Sequence, residues 1–259
     1  MLDFFIAVWK VNQGLAVDKR LRIVLADVPK PWREVSVLAW GHCERPSGGE
    51  HMSDHILRDL QEHGGDKRSA LFIVGAGHAT RNCKYYEGSP VTGACWYLCR
   101  GLGAEQVFSI FPHMPSMDDW GTLRGRLRMG LFDSAFAATG DRPVCLPLRT
   151  GPFGQEPFDA MELLPVDSTY ADAYDAYLYL GPVKEELFSP LIEGFYTEAD
   201  VSVIDRTFRS LNPNSWAEYY QRPLNLANFV ALLKETWGQP RRRWDERRLG
   251  PVDAWKRGA

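Results

Sequence analysis

Three short apolar runs restrict the architecture of this chain more than any other feature: "LRIVLAD" (21–27), "ALFIVGAG" (70–77) and "QVFSIFPH" (106–113). Each is too short for a buried helix, is partly β-branched or aromatic, and stops at a turn-forming or polar residue, as strands buried on both faces do. Stretches with apolar residues at helical spacing surround them. Residues 3–15 carry Phe4, Phe5, Val8, Val11 and Leu15 on one stripe, 50–63 carry Met52, Ile56, Leu57 and Leu60, and "VTGACWYLCRGLG" (91–103) ends on Gly101 and Gly103. Strand and helix in alternation demand crossover connections, so the expected fold class is α/β, with a mostly parallel central sheet flanked by helices.

"VSVLAW" (35–40) alternates weakly and reads as a further strand or an irregular crossing. "LRGRLRMGLFDSAFAATG" (123–140) reads as a helix despite its glycines, and "RPVCLPL", "FDAMELL" and "DAYLYLGP" read as short strands finishing the sheet. Beyond Pro182 the chain turns helical, with Thr197 as a cap and Pro223 splitting the last helical stretch. The expected organisation is an α/β core over residues 1–182 and a helical extension over 183–259. The final stretch mixes seven Lys or Arg with three Asp or Glu; a solvated tail is expected there, although Trp244 and Trp255 argue for a docking surface.

A net charge of −3 over 259 residues offers no broad positive field, so neither nucleic acid nor an anionic lipid surface is an expected partner. No run approaches the ~20 apolar residues needed to span a bilayer, and no signal-peptide pattern opens the chain; a cytoplasmic protein is expected. The five cysteines, Cys43, Cys83, Cys95, Cys99 and Cys145, show no paired CxxC spacing and announce neither a disulfide framework nor a zinc knuckle. Cys95 and Cys99, four residues apart on one helix, read as core packing.

Ligands of parallel α/β sheets collect at the carboxyl ends of the strands. Asp27, His78 and His113 each close one of the three runs, and on that rule they enclose a shared hollow. Gly75 and Gly77 let a backbone approach a ligand closely. His78 suits proton transfer near neutral pH, and Arg81 presents a fork for a carboxylate or a developing anion. GxGxxG running into a helix, GxSxG and the Walker A pattern are all missing, which argues against dinucleotide, serine-hydrolase and nucleotide-triphosphatase chemistry. A second cluster, "GHCERPSGGEHMSDH", supplies His42 or Glu50 as loop groups reaching the crevice. His51 and His55 stand at chelating spacing there, but Glu50 precedes the pair rather than lying between them, so no metalloprotease motif is formed and this pair is not expected to hold a metal.

The helix, "LRIVLAD", "HMSDHILRDL" and "FIVGAGHATRN…GACWYLCRGLGAEQVFSI", followed late by "DAYLYLGP", resemble the erythromycin esterase-like members of the superfamily that also holds the haem-binding ChaN and the TraB/Tiki proteins. Met52, Gly77-His78, Gly93 and Leu102-Gly103 occupy matching places over about residues 3–182. The resemblance implies that His78 is an active-site histidine and Asp27 an acidic group of the same cleft. The Gly-Glu-x-x-His segment with which members typically open has no counterpart ahead of residue 3: either the chain starts inside the domain, or His42, Glu44, Glu50 or His113 replaces its glutamate and histidine.

Three readings stand open. The first is a hydrolase acting on an ester or related bond of a small molecule, with His78 as principal base and Asp27, Arg81, His113, His42 and Glu50 around it. The second is a non-catalytic protein for haem or another small ligand, with Tyr85, Tyr86 and His113 as donors. The third is a scaffold in which the aromatic-rich residues 195–237 assemble with a second copy. Cofactor identity, metal ion or haem, is left open.

Overall fold

The computed structural model describes residues 2–27, 48–63, 69–82, 84–86, 89–91, 93–117, 123–161, 164–165, 167–187, 192, 194–237 and 249. The regular elements are α1 (Leu2–Gln13), α2 (Gly48–His63), β1 (Lys84–Tyr86), β2 (Ser89–Val91), α3 (Ala94–Leu102), β3 (Ile110–Pro112), β4 (Ser116–Met117) and β5 (Leu123–Gly125). They continue with α4 (Leu131–Ala137), β6 (Val144–Pro147), α5 (Tyr170–Ala173), β7 (Ala176–Tyr179), α6 (Val201–Leu211), α7 (Trp216–Tyr220) and α8 (Leu226–Trp237). The protein therefore mixes helix and strand.

Its largest sheet has three strands in the order β3-β7-β6. β3 runs parallel to β7, pairing Phe111 with Tyr177, whereas β6 runs antiparallel to β7 and pairs Leu146 with the same tyrosine. Two antiparallel pairs, β1-β2 and β4-β5, are the other strands among the described residues. Aromatic side chains fill the core around the three-stranded sheet: Phe111, Phe132, Phe136, Tyr170, Tyr174, Tyr177 and Tyr179 are all buried. Phe136 stacks on Tyr179 with ring centroids 3.9 Å apart, and Phe111 lies 4.9 Å from Tyr174. Burying rings of this size accounts for much of the favourable free energy of such a core.

The large parallel sheet expected from the sequence is not what the described residues show. Residues 21–26 and 70–75 carry no regular secondary structure and belong to no ladder among the described residues. They meet instead in a small cluster in which Ala26, Met52 and Ala94 are buried and Ile56, Phe72 and Val74 pack against them. Leu71 and Ile73, the alternate residues of the second run, face outward, as do Leu21, Ile23, Val24 and Leu25 of the first. Apolar content alone does not make a strand central; that requires partners on both edges, and the aromatic β3-β7-β6 core has gathered the pairing into the later part of the chain.

The expected helix over 123–140 also breaks up. Gly125 (φ +145°) and Gly130 (φ +88°) end β5 and begin α4, and between them Arg128 and Met129 take left-handed backbone angles (φ +47° and +52°). The Asp159 carboxylate accepts the Arg128 backbone N–H at 2.6 Å, and Glu156 accepts from the Arg128 Nε at 3.0 Å, anchoring this strained turn. "FDAMELL" forms no strand among its described residues.

Other expectations coincide with the structure. α3 begins after Gly93 and ends at Gly103, which takes φ +96° and donates its N–H to the Cys99 carbonyl, a glycine stop. Thr197 and Asp200 form a capping box ahead of α6, Ser215 and Glu218 form another at α7, and Pro223 lies in the break between α7 and α8. The regular elements from Val201 to Trp237 are all helices, with Trp216 packed 5.0 Å from Tyr220. Among the described residues, no helix is long and apolar enough to cross a membrane.

Candidate functional site

The small Ala26-Met52-Ala94 cluster explains which polar groups come together. Asp27 follows Ala26, His51 precedes Met52, Gly75 follows Val74, and Gly93 precedes Ala94. Each is one residue, about 3.8 Å of chain, from a member of the same cluster. The chain leading to Asp27, the first turn of α2 and the run leading to the His78 loop thus meet in one apolar cluster although they lie far apart in sequence.

The His78 loop is fixed at several points. Residues Ala76–Ala79 form a 3₁₀ turn in which the His78 N–H donates to the Gly75 carbonyl at 2.9 Å, and the Thr80 hydroxyl donates to the Gly77 carbonyl at 2.9 Å. The buried Tyr174 hydroxyl donates to the Ala76 carbonyl at 2.8 Å. At the far end the Arg81 N–H donates to the Ala173 carbonyl at 2.9 Å. Gly93 presses against the loop from α3: a Cβ built there would stand 2.5 Å from the Gly77 oxygen. Gly75 is different, with negative φ and open space where a Cβ would go. The His78 side chain on this loop is half-buried.

Arg81 has other work. Its guanidinium donates to Asp175 and to the Val107 carbonyl at 2.6 Å each, and to the Ala104 carbonyl at 2.8 Å. Asp175 also accepts the Ser109 N–H at 2.8 Å, and Arg149 approaches its other oxygen at 2.9 Å. With the Arg81 and Asp175 side chains only 9% and 7% exposed, this is a buried pair bracing the amino-terminal approach to β3 and β7. The sequence expectation that Arg81 holds a substrate anion gives way to a positioning role, because its fork is already committed to protein oxygens.

His113 sits at the other end of the same strand, roughly 13 Å from Ser109 at ~3.3 Å per residue. Its side chain is 2% exposed, with Nδ1 2.5 Å from the Tyr177 hydroxyl and Nε2 3.6 Å from Asp133, an ion-pair rather than a hydrogen-bond distance. Phe136, Tyr177 and Tyr179 surround the ring. Asp133 pairs with Arg126 at 2.5 Å; burial pushes its carboxyl up, but His113 and Arg126 outweigh burial and hold it below the ordinary value. Arg81 and His113 therefore do not share a rim, and His113 belongs to the aromatic core rather than to the Ala26-Met52-Ala94 cluster.

His51 and His55 lie with ring centroids 4.6 Å apart, and the His51 Nε2 is buried without a hydrogen-bond partner. Among the described residues, no three His, Cys, Asp or Glu side chains come together in a metal-holding group. Tyr85 and Tyr86 occupy β1, with their side chains outside the described residues, as are His42 and Glu44. Compared with family models, curated proteins and solved structures, the chain matches none of them.

Sequence reasoning missed Tyr174 and the Arg81-Asp175 brace. The aspartate ahead of "AYLYLGP" was visible, but its partner lies 94 residues away, and no periodicity encodes such a contact. The unpartnered His51 nitrogen was equally hidden, because burial of one ring atom depends on packing.

Proposed function

We propose that the protein is a hydrolase-like enzyme that cleaves an ester or related bond of a small molecule, with His78 as the general base. The observation that supports it is the His78 loop, clamped by Gly93 and by the Tyr174 hydroxyl and following a run whose Phe72 and Val74 pack against Ala26 and Met52, the neighbours of Asp27 and His51. In this reading the imidazole takes a proton from a water molecule as that water attacks the carbonyl carbon. To Asp27 and Glu50, whose chain segments adjoin the same apolar cluster, the reading assigns the negative charge that favours the imidazolium that forms; Tyr174, Gly93 and Arg81 hold the loop that presents it.

A panel of activated esters of small acids, assayed with and without chelator, tests the proposal. Turnover by the wild-type chain that is lost in His78→Ala supports it. No turnover on any ester, or equal turnover by the variant, counts against it.

A further inference from the structure

Cys95 and Cys99 lie one turn apart on the same face of α3. They differ in surroundings: Cys95 is buried and Cys99 is partly exposed. The Arg81 guanidinium reaches the Ala104 carbonyl just beyond the end of α3, and Arg149 joins it on Asp175, so two cations and one carboxylate are grouped beside this turn. A hydrogen bond from Cys95 is the largest influence on Cys99; burial and the Asp175 carboxylate oppose it, Arg81 and Arg149 assist, and the Cys99 thiol is lowered to about 7. The same bond, with burial, pushes Cys95 up. A partly exposed thiol with cations nearby and a second thiol as neighbour has the features of a reactive rather than an inert cysteine.

We propose that Cys99 and Cys95 form a hydroperoxide-reactive thiol pair, with Cys99 attacking and Cys95 resolving. The Cys99 thiolate attacks an oxygen of the hydroperoxide, the O–O bond breaks, and the departing oxygen leaves as water or alcohol after taking a proton; Cys99 becomes a sulfenic acid. The Cys95 sulfur then attacks the Cys99 sulfur, the S–O bond breaks, and the leaving hydroxide takes the Cys95 proton and departs as water. Two thiols are oxidised to a disulfide by two electrons, and the hydroperoxide is reduced. Residues four apart on a helix hold their Cβ atoms about 5–6 Å apart, whereas a disulfide needs about 3.5–4.5 Å, so closure distorts the first turns of α3. Those turns begin at Gly93, which abuts the His78 backbone, so oxidation displaces the His78 loop.

The test uses the full chain exposed to hydrogen peroxide at neutral pH, capped with an alkylating reagent or with dimedone, and cut with trypsin. Cleavage after Lys84 and Arg100 isolates Cys95 and Cys99 on one peptide, apart from Cys145. The expected wild-type peptide is two hydrogens lighter, and in Cys95→Ser a dimedone adduct appears on Cys99. An unchanged dithiol peptide under conditions that oxidise Cys145, or an adduct on Cys95 in the wild type, overturns the proposal. Alkylation of Cys99 in the unmutated chain provides a readout independent of variant folding: a rate inflecting near pH 7 agrees, and one inflecting near 9 refutes it.

Discussion

Gly93 touches the backbone of His78 so closely that a Cβ at position 93 would stand 2.6 Å from the His78 Cα. The backbone angles of Gly93 (φ −82°, ψ 168°) are open to any residue, so space alone demands glycine there. Gly93→Ala must push the His78 loop or the start of α3 aside. We expect destabilisation of about 1–3 kcal/mol, the usual range for overpacking, and a changed chemical shift of the His78 imidazole. Chemical denaturation and NMR of the histidine ring check both; an unaltered ring signal would show that the contact does not position the imidazole.

The Tyr174 hydroxyl is the second support of the loop. Tyr174→Phe leaves the ring in the aromatic core but deprives the Ala76 carbonyl of its donor. A loss of about 1–3 kcal/mol is expected if that carbonyl stays buried and unsatisfied. Faster amide hydrogen exchange from Ala76 to Thr80, relative to the β7 amides, is the accompanying sign.

Arg81 and Asp175 tie the end of that loop to the approach of β7. Arg81→Ala removes the buried one of the two cations on Asp175, leaving the exposed Arg149, and removes the donors to two carbonyls, so a loss of up to about 3–5 kcal/mol is expected. Arg81→Lys keeps a charge but not the fork, so it should recover only part of the loss. Full recovery by lysine in a urea titration would show that charge alone suffices.

Asp133 gives the protein a pH dependence of known sign. Its folded carboxyl lies below the ordinary value of 3.8, so its contribution to stability is present above 3.8 and lost as pH falls through the lower, folded value. Asp159 acts oppositely: burial, the largest influence, raises its carboxyl despite the Tyr170 hydroxyl and the Arg128 N–H, so its contribution is present below 3.8 and lost as pH rises through the raised value. Asp133→Asn should therefore destabilise strongly at pH 7 and much less at strongly acidic pH. Melting temperatures of wild type and variant across that range check this; a pH-independent difference would exclude Asp133 as its source.

Much of the helical structure was legible in the sequence, because caps, glycine stops and the apolar stripe of α2 act over a few residues. The late strands β6 and β7 were legible for the same reason. Sheet membership was not: "LRIVLAD" and "ALFIVGAG" have strand composition, yet a ladder depends on which segments find partners, and the ring-filled β3-β7-β6 layer supplies none to them. The fate of the histidines divides in a similar way. His78 stands on a loop whose glycines were visible, whereas the burial of His113 among Phe136, Tyr177 and Tyr179 required residues up to 66 positions away.

The central claim is that His78 moves a proton during hydrolysis. It is tested most directly by kcat/KM for an activated ester in wild type and His78→Ala at pH 7, with thermal unfolding of both chains measured alongside. A positioned general base contributes about 10²–10⁴-fold, so a fall of that size with little change in melting temperature is the predicted result. Equal kcat/KM in a folded variant would contradict the account.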